Sequence, residues 1–118
     1  MADSILFLGW GFPVRGRERQ AQNVFQESVE YWGRLQSEGK IESVQVAFLT
    51  PHGGDLNGFA ILQGEAEALD EIQRSDEFAV MLTRANLIVE SLGVVSGVTG
   101  DELGAQLERA MAQLDELT

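Results

Sequence analysis

Residues 4–10 read SILFLGW, an almost unbroken apolar run that Gly11, Pro13 and Gly16 bring to a stop. Alternation of apolar and polar residues marks a strand with one wet face, whereas a continuous run marks one covered on both. Ser4 to Trp10 is therefore predicted to be a central strand, with neighbours at both edges and cover on both faces. The run is far short of the ~20 residues a membrane-spanning helix needs, and no basic segment precedes it, so it is not read as a leader.

Beyond it the period changes. From Arg17 onward, Ala21, Val24, Phe25, Ser28, Trp32 and Leu35 recur at the spacing of one buried helical face. Gly39 stands where a left-handed residue would end that helix. Ile41 to Leu49 then alternates, with Val44, Val46 and Phe48 against Ser43, Gln45 and Ala47, as an edge strand does. Residues 50–57 (TPHGGDLN) are a turn-rich loop, and 58–63 (GFAILQ) the next strand. Two short helices are expected at 65–74 and 75–84, the second capped by Ser75 with Asp76 and Glu77 in its first turn. A fourth strand is predicted over Leu87–Val95. Asp101 is expected to cap a last amphipathic helix carrying Leu103, Leu107, Met111 and Leu114.

The order β-α-β-β-α-β plus a C-terminal helix is α+β. Right-handed crossovers fold it into one ferredoxin-like domain over residues 1–118, an antiparallel four-stranded sheet with the first and third strands central and the main helices on one face. The other face is left bare, yet it is apolar whichever side it is: Ile5 and Phe7 or Leu6, Leu8 and Trp10 from the first strand, Phe59 and Ile61 or Ala60 and Leu62 from the third, Leu87 and Val89 or Ile88 and Leu92 from the fourth. Monomers rarely expose such a patch, so a homodimer packed sheet against sheet is expected, with the last helix as the competing cover.

Composition narrows the partners. The net charge of −11 argues against nucleic acid, since binding phosphates requires clustered Lys and Arg. Residues 1–40 are balanced, so the whole −11 lies in 41–118, and the one basic concentration is VRGRER, Val14 to Arg19. With no cysteine, disulfides, thiolate metal sites and cysteine nucleophiles are excluded. A cytoplasmic protein without membrane association is the expectation.

Several marks resemble the dimeric α/β-barrel superfamily, in particular its small YCII-like and related uncharacterised members: LQSEGK at 35–40 closing the first helix, His52-Gly-Gly-Asp55 before GFAILQ, and Ser75-Asp76-Glu77-Phe78 ahead of the last strand with Val89-Glu90 and Gly93-Val94. They span about residues 4–95 and are structural, none of them catalytic. The superfamily includes cofactor-free monooxygenases, haem-binding and haem-degrading enzymes, isomerases and members without known activity. For YCII-like proteins a His-Asp pair is a candidate site, and His52 and Asp55 are the pair that would correspond. Fold membership by itself does not give function.

His52 is the single histidine, and Asp55 three residues on is placed to orient its imidazole for acid–base work. Asn57 adds a polar group beside them. The same residues also serve plain turn geometry, although an eight-residue loop exceeds what a hairpin needs. A second candidate is Trp10 with Arg15 and Arg17, in a loop ending at a helix N-terminus that would suit a carboxylate or phosphate. It lacks any nucleotide-binding glycine spacing, and arginines there also pair readily with nearby glutamates. The two groups are expected at opposite ends of the sheet, Arg15, Arg17, Arg84 and Asn86 at one and His52, Asp55, Asn57, Ser96 and Thr99 at the other. No metal-ligand spacing is present and no cofactor is expected. The leading expectation is a small-molecule binding or sensing module. The alternatives are a cofactor-independent monooxygenase or isomerase using His52 and Asp55, and a structural protein whose main property is dimerisation.

Overall fold

The computed structural model describes residues 2–118. They form, in order, β1 (Ser4–Trp10), α1 (Glu18–Ser37), β2 (Ser43–Phe48), β3 (Gly58–Gly64), α2 (Ala66–Gln73), α3 (Asp76–Asn86), β4 (Gly93–Val98) and α4 (Gly100–Leu117). All strand pairs are antiparallel and the sheet order is β2-β3-β1-β4, so β1 and β3 are central as expected.

Alternation in the central strands sorts their side chains. Leu6, Leu8 and Trp10 of β1 join Ala60 and Leu62 of β3 in one core with Trp32 and Leu35 of α1, Ile72 of α2 and Phe78 of α3. Leu6, Leu62 and Phe78 are its largest fully buried side chains. Ile5, Phe7, Phe59, Ile61 and Val95 line the opposite face, where the rings of Phe7 and Phe59 stack 5.4 Å apart and Val95 is 59% exposed.

Helix ends follow from local chemistry. Gly39 has φ +77°, its N–H donates to Gln36 C=O at 3.0 Å, and the Lys40 N–H donates to Leu35 C=O at 2.9 Å. This pair of bonds is a Schellman cap, and only glycine enters its left-handed position without strain. At the start of α3, Ser75 Oγ accepts the Phe78 N–H at 3.2 Å.

Three expectations and one competing reading need correction. The fourth strand is Gly93–Val98, not Leu87–Val95. Leu87, Ile88 and Val89 leave α3 through a turn, with the N–H groups of Ile88 and Val89 both on Ala85 C=O, and buried Ile88 packs with Ala21 and Val24 of α1. Ser91, at φ +57°, then turns the chain into β4. Secondly, Asp101 lies in the first turn of α4, and Thr99 occupies the N-cap position without a side-chain capping bond. Thirdly, α4 does not lie across the sheet: none of its residues is buried, and Leu103, Leu107, Met111 and Leu114 stay exposed.

The fourth correction concerns the two candidate loops. Trp10 is paired with Gly58, and β2 and β1 both run antiparallel to β3. Hence β1 and β2 finish at the same end, and residues 11–17 and 49–57 are neighbours rather than opposites. Ser96 and Thr99 lie towards the far end, where Thr99 N–H donates to Asp3 C=O at 2.9 Å and Ser4 pairs with Val98.

Removing core volume and straining the cap should be separable by urea unfolding. Leu6→Ala is expected to lower stability by about 2–5 kcal/mol. Gly39→Ala should lower it by about 1–2 kcal/mol through backbone strain alone, since nothing lies within 4 Å of the added methyl. Gly33→Ala, equally free of neighbours but inside α1, should raise stability by about 0.5–1 kcal/mol.

Candidate functional site

Where β1 and β2 finish, the first half of α1, α3 and the 87–92 connector stand off the sheet and leave a cavity of about 710 Å³. Its inner wall is apolar, formed by Leu8, Trp10, Val24, Phe25, Met81 and Leu92 among others. Three aromatic rings cluster there: Trp10 with Phe25 at 5.9 Å, Trp10 with Phe48 at 6.3 Å and Phe25 with Phe48 at 4.9 Å. Gly58, opposite Trp10 in the register, makes room for this arrangement. A Cβ there would come within 2.9 Å of the indole ring and 2.8 Å of Ala47 C=O.

Polar groups on this wall are few. Ser28 is buried and its hydroxyl donates to Val24 C=O at 2.8 Å, leaving the oxygen's two lone pairs as acceptors. Asn57 contributes from the β2–β3 loop. Trp32 also lines the cavity, is only 3% exposed, and its Nε1–H has no hydrogen-bond partner among the described residues. Buried indole N–H groups ordinarily find an acceptor, and leaving a buried donor unsatisfied costs about 1–3 kcal/mol. Towards solvent, Glu18, Arg19, Gln20 and Gln22 form an exposed polar rim.

Backbone bonds hold the mouth together. Asn57 N–H donates to Trp10 C=O at 2.8 Å, Gly11 N–H to Glu90 C=O at 2.7 Å, Glu90 N–H to Phe12 C=O at 2.9 Å and Val14 N–H to Ile88 C=O at 2.9 Å. Over the outer seam, Arg34 reaches Glu77 and Arg84 reaches Glu27, each through paired hydrogen bonds between α1 and α3. The Arg34 bond holds the Glu77 carboxyl below the usual carboxylate range, and burial pushes the Tyr31 hydroxyl upward. These exposed pairs are individually modest in energy, but they fix the spacing of the two helices that roof the cavity.

Among the sequence candidates, Trp10 and Asn57 lie in the cavity wall, while Arg15, Arg17, His52 and Asp55 do not. Arg17 Nη1 donates to Leu87 C=O at 2.8 Å and so ties the start of α1 to the end of α3. Arg15 is exposed at the rim. His52 is also exposed, with Nδ1 3.0 Å from Thr50 C=O. A carbonyl only accepts, so this contact puts the proton on Nδ1 and leaves Nε2 as the acceptor of the neutral ring. No hydrogen bond joins His52 to Asp55 among the described residues, and none of their His, Asp or Glu side chains gather in a group that would hold a metal ion. No helix among them is long and apolar enough to cross a membrane.

Phe25, Ser28, Trp32 and Phe48 are the cavity residues that sequence reading placed only in a core face or an edge strand. Their signal is faint. Val24, Ser28 and Trp32 continue one helical ridge, and a serine between large apolar residues is the one hint that the ridge borders a space.

Neither a family model nor a curated protein matches this chain. Solved structures do. A DABB-family protein with a ferredoxin-like fold from Mesorhizobium loti matches with TM-score 0.65 at 7% identity, covering 83% of this chain and 98% of the other. The fold is ferredoxin-like. A dimeric protein of unknown function from Bacteroides fragilis, also of ferredoxin-like fold, matches with TM-score 0.59 at 11% identity over 80% of this chain and 95% of that one. SnoaB, a cofactor-independent oxygenase from Streptomyces nogalater, matches with TM-score 0.52 at 14% identity over 84% and 93%.

The close fit of the mouth should be visible in a single methyl. In Gly11→Ala the new Cβ would lie 2.7 Å from Glu90 C=O and 2.9 Å from Asp55 C=O. The variant should lose about 1–3 kcal/mol in thermal or urea unfolding as the two loops are forced apart.

Proposed function

We propose that this protein is a homodimeric binding module for a small, mainly apolar organic molecule carrying a carbonyl or hydroxyl oxygen. The molecule would lie in the cavity between α1, α3 and the sheet, its apolar body against Trp10, Phe25 and Val24. The apolar, ring-lined cavity is the observation that carries this reading, and the unpartnered Trp32 indole N–H lies beneath its wall as a donor that an oxygen reaches only if the wall yields. A closed core would have covered it with an acceptor or replaced it with phenylalanine, whereas an oxygen on a bound molecule supplies what the protein lacks. Cavity size and lining support the reading, because ligand sites are commonly 300–1,000 Å³ and chiefly apolar with few polar groups. The absence of a charged side chain from the inner wall favours a neutral ligand.

Dimerisation through the bare face is part of the proposal. Ile5, Phe7, Phe59, Ile61 and Val95 make a contiguous apolar surface on an otherwise acidic molecule. The dimeric description of the Bacteroides fragilis protein of the same fold supports it.

Turnover of the bound molecule is a second reading. It is favoured by the likeness to SnoaB, described as a cofactor-independent oxygenase, and by the position of the His52 loop at the same end of the sheet as the cavity. His52 would act as the base through Nε2, with Asp55 swinging in and Arg15 and Arg17 steering a polar group.

A thermal-shift and tryptophan-fluorescence screen of neutral aromatic and alicyclic ketones and phenols tests the binding reading. Val24→Trp, which fills the cavity, should abolish any binding found. Trp32→Phe should weaken oxygen-bearing ligands by about tenfold, one hydrogen bond, and leave their hydrocarbon analogues unchanged. Equal losses for both series would remove the hydrogen-bonding role. Under the second reading His52→Ala abolishes turnover and spares binding. Val95→Glu should convert a dimer to a monomer in light scattering.

A further inference from the structure

Helix α4 is the part of the molecule that its own chain leaves unexplained. Leu103, Leu107, Met111 and Leu114 form one stripe, and Leu107 at its middle is 60% exposed. Isolated helices of this length are marginal in water, so an 18-residue amphipathic helix draws its stability from packing. Beside the stripe, Asp101, Glu108 and Asp115 recur at seven-residue spacing and form an acidic row without ion pairs among the described residues.

A complementary surface exists at the opposite end of the sheet. Phe12, Phe48 and Leu87 are each about half exposed or more around the cavity rim. Arg19 at the rim and exposed Arg15 in the loop before it have no ion pair among the described residues, although the chain carries more than twice as many acidic as basic side chains. Apolar side chains flanked by unpaired arginines match an apolar stripe flanked by unpaired carboxylates.

We propose that α4 is an exchanged arm, seated on the cavity rim of a second copy of this chain with its acidic row beside that copy's Arg15 and Arg19. Its own chain cannot supply the match in this arrangement, because β4 delivers α4 at the Ser4 end, a strand length from the rim. A two-fold that packs the bare sheet faces end for end brings the root of each α4 beside the other copy's rim. The proposal thus rests on the sheet-to-sheet dimer. An arm about 27 Å long and 10 Å wide, given and received, would enlarge the contact between two four-stranded faces that are each roughly 20 Å by 20 Å in outline. In this assembly each cavity is closed by its partner, so the binding site is incomplete in one copy.

The chain has no cysteine among the described residues and none in its sequence, so single cysteines report contacts directly. Leu103→Cys, Leu107→Cys and Met111→Cys would each be mixed with Phe48→Cys, allowed to exchange subunits and oxidised. At least one mixture should give a disulfide-linked pair absent from either variant alone. Combining Arg15→Glu with Arg19→Glu should reduce its yield and weaken the dimer by about tenfold at low salt, and by less at high salt. A cross-link inside one chain of a doubly substituted, diluted protein would overturn the proposal by placing α4 on its own rim. A dimer of correct mass with no cross-link would overturn it and leave the sheet dimer standing. A monomeric parent chain would overturn both.

Discussion

β1 is hydrogen-bonded along both edges, to β3 and to β4, while its side chains alternate between the helix-covered core and the bare face. Leu6 and Leu8 are locked beneath α1, α2 and α3, and two residues on Trp10 emerges where that layer parts from the sheet. The helices must close over Leu6, whereas nothing requires them to close over Trp10. The tapered gap between those two depths is the cavity. Because Trp10 pairs with Gly58, the indole passes close to the β3 backbone there, while the rings of Phe25 and Phe48 pack against it.

Much of the layout was legible because it is written locally. The α1 face repeats at helical spacing from Ala21 to Leu35, and Gly39 stops it through a cap whose two hydrogen bonds depend on one positive φ. Ser75 announces α3 in the same way. β4 was illegible because half of its residues, GVVSGV, are glycine or serine and need only backbone pairing with β1. The richer run Leu87-Ile88-Val89 carries the β-prone side chains, but Ile88 and Val89 pack with Ala21 and Val24 of α1. Tertiary demand overrode strand propensity there.

The candidate site was legible in part for a different reason. Trp10 and Asn57 are visible as an aromatic and an amide beside glycines. That they meet follows only from strand direction: two strands antiparallel to the same third strand run the same way and end together. Setting the end of β1 opposite the β2–β3 hairpin separates groups that the register joins. Trp32 was hidden more deeply, since an indole on an apolar helical face looks identical in sequence whether or not its N–H has an acceptor. Only the three-dimensional environment of Nε1 distinguishes a packed ring from one facing an unmet bond.

The 87–92 connector has a bearing on how such a site would diversify. It is fastened to the β1–α1 loop by main-chain atoms of Gly11, Phe12, Val14, Ile88 and Glu90. Fastening of that kind is indifferent to side-chain identity. Ile88, Val89 and Leu92, which border the cavity, can therefore exchange for other apolar residues while the closing bonds persist. Retuning the shape of the pocket and keeping it closed are then separate problems, solved by different atoms of the same six residues.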